Sequence, residues 1–146
     1  MEFKYKINFS EKDRIKEFQE LHKNHPNKYP IIFQKTPNSS LNDTEKPKYL
    51  IDPELSFRHL NIFIKRKIHL EDENKNLRFL VNGVIPIKTN QIVKNVFEQY
   101  RDKDGFLYLG YELKKKKLLI TKRKYIFLIL ISFIIIIFAY YMPFLH

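Results

Sequence analysis

The sequence predicts an α+β domain followed by a single apolar helix, and three observations lead to this prediction. Short apolar runs typical of β-strands alternate with amphipathic helical stripes over residues 1–112. Residues 125–145 contain no charged side chain and are mostly Ile, Leu and Phe. A basic stretch over 113–124 separates the two. We therefore divide the chain into a domain over 1–112, a basic juxtamembrane linker over 113–124 and an apolar segment over 125–145.

The composition excludes several classes of protein. The 146 residues include no Cys, so disulfide scaffolds, thiolate zinc sites, iron–sulfur clusters and cysteine nucleophiles are ruled out. Only 3 Gly are present, too few for Gly-rich phosphate-binding loops. The 5 His show no metal-ligand spacing with carboxylates, and no Ser–His–Asp pattern stands out. We therefore expect no catalytic residue, no metal site and no cofactor, and a protein that is not an enzyme.

The charge is distributed unevenly along the chain. There are 27 Lys and Arg against 16 Asp and Glu, a formal net charge of +11. Every acidic residue lies at or before Glu112. The basic residues that follow it are Lys114, Lys115, Lys116, Lys117, Lys122, Arg123 and Lys124. Because this excess lies directly before the apolar segment, it favours contact with anionic lipid over nucleic-acid binding.

The first predicted element is a helix that begins after Ser10. The sequence Ser10-Glu11-Lys12-Asp13 resembles a capping box, in which the first side chain accepts a hydrogen bond from the helix backbone. Ile15, Phe18 and Leu21 follow at helical spacing and form one apolar side. Pro26 ends the helix.

Two strands and a second helix come next. Residues 31–33 and 48–51 have the composition of strands, and the polar stretch 37–47 between them is typical of a long turn. Ser56 is a suitable N-cap for a helix that carries Phe57, Leu60, Phe63, Ile64 and Ile68 as its apolar stripe.

The remaining elements form a hairpin, a helix and a last strand. Strand-like residues 77–81 and 84–85 flank Asn82-Gly83, the strongest short hairpin signal in the chain. An apolar helical stripe over 92–100 precedes a turn at Asp104-Gly105 and a final strand over 106–112. Two hairpins with a helix across them, preceded by an extra helix, match a ubiquitin-like β-grasp with an N-terminal helical extension, although other α+β folds use similar sets.

Particular residues narrow this choice. The sequence resembles the autophagy-related protein 8, or GABARAP, family of ubiquitin-like modifiers over about 110 residues. The matching segments are FKYK (3–6), HPNKYPIIFQKTP (25–37), KPKYLIDPEL (46–55), FIKRKIHL (63–70), FLVNGVIP (79–86) and RDKDGFLYLGYE (101–112). The resemblance implies an autophagy adaptor that docks aromatic-x-x-aliphatic peptides of cargo receptors and autophagy factors by strand addition.

The resemblance also implies which residues contact the peptide. The aromatic pocket would be lined by Glu17, Leu21, Pro30, Lys48, Leu50 and Phe106; the aliphatic pocket by Tyr49, Ile51, Leu55, Leu60 and Phe63, with Lys67 at its rim. Lys46, Lys48 and Lys67 would attract acidic residues of the peptide. From the residues alone, Leu50, Leu55, Leu60 and Phe63 are equally explained as core residues, so their pocket role rests on the resemblance.

The apolar segment predicts a single transmembrane helix. At about 1.5 Å per residue, a helix over 125–145 spans about 30 Å, the hydrocarbon thickness of a bilayer. The basic residues before it place the domain on the cytosolic side. We therefore expect a tail-anchored, single-pass protein of the autophagosome or another cytoplasmic vesicle membrane.

The sequence departs from the family at its C-terminal end. Members normally end in a glycine that is joined to phosphatidylethanolamine, whereas no glycine follows Gly110, which lies inside the last predicted strand. We therefore expect that no glycine is conjugated and that the apolar segment supplies the membrane attachment. Two alternatives remain: a conventional lipid-conjugated modifier whose sequence has a divergent 3′ end, and a tail-anchored trafficking or cytoskeletal adaptor that binds tubulin through the basic residues around 3–16.

Overall fold

The computed structural model describes residues 1–114 and 126–134. The chain forms two compact units, Met1–Lys114 and Lys115–His146. Within the second unit, the described residues 126–134 are helical. Neither described range contains a helix that is both long enough and apolar enough to cross a membrane. The transmembrane helix predicted over 125–145 therefore lies largely outside the described residues, as do all the predicted membrane-surface cations after Lys114.

The first unit contains four helices and five strands. In chain order they are α1 (Lys4–Asn8), α2 (Glu11–Asn24), β1 (Tyr29–Lys35), β2 (Lys48–Ile51), α3 (Phe57–Lys67), β3 (Leu77–Val81), β4 (Ile85–Pro86), α4 (Val93–Tyr100) and β5 (Leu107–Leu113). The sheet order is β2-β1-β5-β3-β4. β1 and β5 pair in parallel, whereas β1–β2, β3–β4 and β3–β5 are antiparallel. This mixed sheet confirms the predicted α+β arrangement of two hairpins.

Local sequence signals account for where the helices begin. The Ser10 hydroxyl accepts a hydrogen bond from the backbone N–H of Asp13 at 3.2 Å, and the Ser56 hydroxyl accepts one from His59. Each bond satisfies a backbone donor that has no partner inside its helix. Both N-caps were predicted correctly. The short helix α1 was not predicted, and it has no side-chain cap.

Helices cover both faces of the sheet. Alternate residues of β1 point to opposite faces, so Ile31 and Phe33 join the core beneath α3 and α4 whereas Ile32 joins a second cluster. That second cluster contains Phe3 and Tyr5 from the N-terminal segment, together with aromatic residues from the last strand region. The edge strand β2 therefore runs between an α2 layer and an α3 layer.

A buried ion pair attaches α2 to the sheet. The Arg14 guanidinium donates to the Asp104 carboxylate at 2.6 Å, and both side chains are nearly inaccessible to solvent. The same carboxylate accepts the Tyr108 hydroxyl at 2.6 Å and the backbone N–H of Phe106 at 3.1 Å. Burial, together with the hydrogen bond to Asp104, raises the pKa of Tyr108 above its ordinary value. Every buried side-chain polar atom in the described residues has a hydrogen-bond partner.

A close backbone contact holds α2 in the same place. Gly105 has φ +95°, a conformation that L side chains rarely adopt, and a Cβ there would overlap the ring of Phe18. Phe18 lies on α2 and packs edge-to-face against Phe106 at 5.8 Å. The turn before β5 and the middle of α2 are thus fitted against each other.

Candidate functional site

The outer edge of β2 presents unpaired backbone groups. In its antiparallel pairing with β1, the backbone N–H of Phe33 donates to the carbonyl of Pro47 at 2.7 Å, which makes these two residues a hydrogen-bonded pair. Hydrogen-bonded and non-hydrogen-bonded pairs alternate along such a ladder. The backbone groups of Tyr49 therefore face β1, and those of Lys48 and Leu50 face outward. Within the described residues no strand pairs with this edge.

Side chains of β2 alternate between the two helical layers. The Lys48 ammonium forms an ion pair with Glu17 of α2. Tyr49 points the other way and packs edge-to-face against Phe63 of α3, with ring centroids 5.4 Å apart. Leu50 shares the face of Lys48 by strand alternation. The strand thus separates two surfaces, an α2-facing surface and an α3-facing surface, which correspond to the two expected pockets.

A polar cluster lies over the α2-facing surface. The carboxylate of Glu17 accepts hydrogen bonds from both the Lys48 ammonium and the Tyr5 hydroxyl. The Lys48 nitrogen lies 5.9 Å from the centre of the Tyr5 ring. Burial lowers the pKa of Lys48 and raises the pKa of Tyr5 to about 12. Tyr5 was not among the predicted site residues, although it lies in the FKYK segment that carried part of the family resemblance.

The apolar part of the α2-facing surface differs from the expectation at one position. Leu21 and Leu50 are partly exposed, and Pro30 is buried between their elements. Phe106 is completely buried in the cluster that Leu21 packs against, where its ring contacts Tyr5. This corrects the expectation that Phe106 lines the pocket, because in this conformation it supports the surface from beneath.

The α3-facing surface is similar in this respect. Tyr49, Leu55 and Phe63 are partly buried and pack against the main core. Leu60 and Ile51 are inside that core, with 0 % and 3 % of their surface exposed. This corrects the expectation that these two line the pocket, because Leu60 lies on the stripe of α3 that faces the sheet.

Two predicted cations lie at the margins of these surfaces. The Lys67 nitrogen is 5.8 Å from the centre of the Phe63 ring. Lys46 is exposed just before β2, and its backbone N–H donates to the Tyr49 hydroxyl at 3.4 Å. Both ammonium groups are therefore near the β2 edge without occupying it.

Two small cavities adjoin β1 and were not predicted. One, of about 240 Å³, is lined by residues that include Tyr5, Phe33 and Pro47. The other, of about 210 Å³, includes Phe18 and Pro30 in its lining. The described ranges contain no group of three or more His, Cys, Asp or Glu side chains that could hold a metal ion.

Comparison with known proteins identifies the family. A family model described as autophagy protein Atg8, ubiquitin like, matches residues 13–116, which is more than half of the chain. The chain belongs to the Atg8 family. The crystal structure of Trypanosoma brucei ATG8 is similar to it, with a TM-score of 0.73 and 24% sequence identity, and the match covers 80% of this chain and 98% of that chain. At this identity the likeness shows a shared fold.

Membership of the Atg8 family confirms the resemblance found in the sequence. The protein is a ubiquitin-like autophagy protein with a mixed sheet and flanking helices. The match ends at residue 116, so the apolar segment 125–145 lies beyond the part that the family model covers. The site residues inherited from the resemblance all lie within the matched range.

Proposed function

We propose that this Atg8-family protein captures peptides of the form aromatic-x-x-aliphatic, carried by autophagy receptors, through strand addition to β2. One observation carries the proposal: the outward backbone groups of Lys48 and Leu50 are on a sheet edge that has an apolar surface on each side. An extended peptide can pair with such an edge while its alternate side chains contact the flanking surfaces. Main-chain pairing supplies affinity, and the surfaces supply specificity.

The polar cluster on the α2-facing surface explains a preference for acidic peptides. Lys48 is held by Glu17, whose carboxylate lies where a peptide carboxylate would approach. An acidic residue before the aromatic position can replace Glu17 as the partner of Lys48, while Lys46 attracts it from solvent. The aromatic side chain then packs on Leu21 and Leu50. The aliphatic side chain packs between Tyr49, Leu55 and Phe63, with Lys67 at the margin.

Peptide capture with three variants tests this proposal. Leu50→Ala removes apolar contact area and should weaken binding by about 1–2 kcal/mol, roughly 5- to 30-fold in Kd. Lys48→Glu should weaken binding of an acidic peptide at least as much, because it repels the peptide carboxylate. Lys94→Glu, an exposed charge reversal on α4, is the matched control and should bind like the unmodified protein. Equal capture by all three variants would refute the role of β2.

We also propose that residues 125–145 anchor the protein in the membrane of an autophagosome or another cytoplasmic vesicle, with the domain facing the cytosol. Support comes from the uncharged sequence of this segment and from the seven cations between residues 113 and 124. Cations close to an anionic surface contribute about 1 kcal/mol each. Such an anchor does not require conjugation of phosphatidylethanolamine.

A reporter fusion tests the anchor. Residues 113–146 fused to a soluble fluorescent protein should give a reporter that resists alkaline carbonate extraction, because a spanning helix is not removed by disrupting charge interactions. A fusion of residues 113–124 alone retains the cations and should be extracted. A carbonate-soluble full-tail reporter contradicts the anchor, and an intact mass that ends at a glycine supports the conjugated alternative.

A further inference from the structure

A groove on α3 lies apart from the peptide site. It has a volume of about 710 Å³ and is lined by one face of α3, the loop after it, Thr89 and the end of the domain at Lys114. Arg58, Ile62 and Lys65 recur at intervals of four and three residues, so they share one stripe of the helix. Ile62 is 50% exposed in this stripe. No lining residue belongs to the α2-facing or α3-facing surface.

Cations of the groove have no carboxylate partner in the described part of the chain. Arg58, Lys65, Arg66 and Lys114 all line it, and none takes part in an ion pair within residues 1–114 and 126–134. By contrast, basic residues elsewhere in the domain hold carboxylates, as Arg78 holds Glu112. An anion from outside the domain would supply the missing partner.

Two carboxylates moderate this charge. Glu71 and Glu73 also line the groove, so four cations face two anions. The Lys65 ammonium donates to the backbone carbonyl of Asp72 at 2.8 Å, which holds its charge beside the loop. Asn76 and Thr89 add uncharged hydrogen-bonding groups. The lining therefore suits a ligand with a compact negative charge and further polar groups.

The position of Lys114 connects the groove to the basic linker. Its backbone N–H donates to the carbonyl of Asn76 at 2.7 Å, which fixes the end of β5 at the groove wall. Six further basic residues follow in the sequence before residue 125, where the uncharged segment begins. The groove is thus the part of the domain from which the chain continues to the proposed anchor. This continuity favours a membrane lipid over a soluble acidic peptide.

We propose that the α3 groove binds the phosphate-bearing headgroup of an anionic membrane lipid, with Arg58, Lys65, Arg66 and Lys114 facing the phosphate. The inference rests on the proposed membrane attachment and adds a second contact between the domain and the bilayer surface. Its polar part is electrostatic and is weakened by salt. The exposed Ile62 contacts the apolar region just below the headgroups.

A single tryptophan reports on this contact, because the sequence contains no Trp. The full chain carrying Ile62→Trp is placed in nanodiscs of phosphatidylcholine, with or without phosphatidylserine, that include a lipid spin-labelled at the headgroup. We expect strong quenching of Trp fluorescence only with phosphatidylserine at low salt. Adding Lys65→Gln and Arg66→Gln should lower the ratio of docked to undocked domain roughly 10- to 30-fold. Lys12→Gln with Lys16→Gln, a matched removal of two exposed cations on α2, should leave quenching unchanged.

Several outcomes would overturn the proposal. Co-elution of the chain with the discs shows anchoring directly, so anchoring without phosphatidylserine-dependent quenching contradicts the groove contact alone. Absence of co-elution contradicts both the anchor and the groove contact. Equal quenching of a Val84→Trp chain, whose label is in the β3–β4 hairpin, shows a nonspecific approach. Saturation of the groove by inorganic phosphate or by an acidic peptide in place of phosphatidylserine assigns it to a different ligand.

Discussion

Replacing Asp104 with Ala should lower the free energy of unfolding by about 3–5 kcal/mol, because it leaves the Arg14 charge buried without a partner. Arg14 is 6% exposed and Asp104 only 1%. The Tyr108 hydroxyl and the backbone N–H of Phe106 lose their acceptor in the same change. The loss concentrates where α2 meets the sheet. Peptide capture should fall as well, since α2 carries Glu17.

Urea denaturation of the variants measures this effect, and the chain offers a matched control. Lys103 forms an ion pair with Glu11 nearby, but its side chain is 73% exposed, so Lys103→Ala should change stability by no more than about 0.5 kcal/mol. A double variant, Arg14→Met with Asp104→Leu, should recover most of the loss, because neither charge remains buried. If Asp104→Ala stays within about 1 kcal/mol of the unmodified protein, the ion pair does not attach α2.

Elements that carry their own local signals could be predicted from the sequence. Ser10 and Ser56 cap the two longer helices, and Asn82-Gly83 forms the β3–β4 turn with positive φ at both residues. These signals act within a few residues of the chain and do not require the rest of the fold. Helix α1 has no such signal, because it has only five residues and depends on the burial of Phe3 and Tyr5 beneath it.

The candidate site was predictable only in part, for a related reason. Alternation along β2 places Lys48 and Tyr49 on opposite faces, and this follows from strand geometry alone. Leu60 and Phe106 lie on apolar stripes that look the same for core and pocket residues, so their burial depends on what packs against them. The bond from Tyr5 to Glu17 joins different helices and has no local sequence signature.

Replacing Leu50 with Pro should weaken peptide binding about tenfold beyond the effect of Leu50→Ala. The Leu50 N–H faces away from β1, so proline removes a donor that only an added strand can use, and its ring obstructs the same edge. Proline is tolerated on edge strands at such outward positions. The pairing of β1 with β2 should therefore persist, and the free energy of unfolding should stay close to that of Leu50→Ala. Fluorescence anisotropy with an acidic aromatic-x-x-aliphatic peptide, combined with urea denaturation, measures both quantities.

Tyr49→Pro is the informative comparison, because it changes the neighbouring position with the opposite orientation. The Tyr49 N–H faces β1, so its removal costs a hydrogen bond inside the sheet and should lower the free energy of unfolding by about 1–3 kcal/mol. A peptide that pairs with the outward edge makes binding sensitive to proline at position 50 and stability sensitive to proline at position 49. If Leu50→Pro binds as tightly as Leu50→Ala, the peptide contacts side chains alone, and strand addition to β2 is wrong.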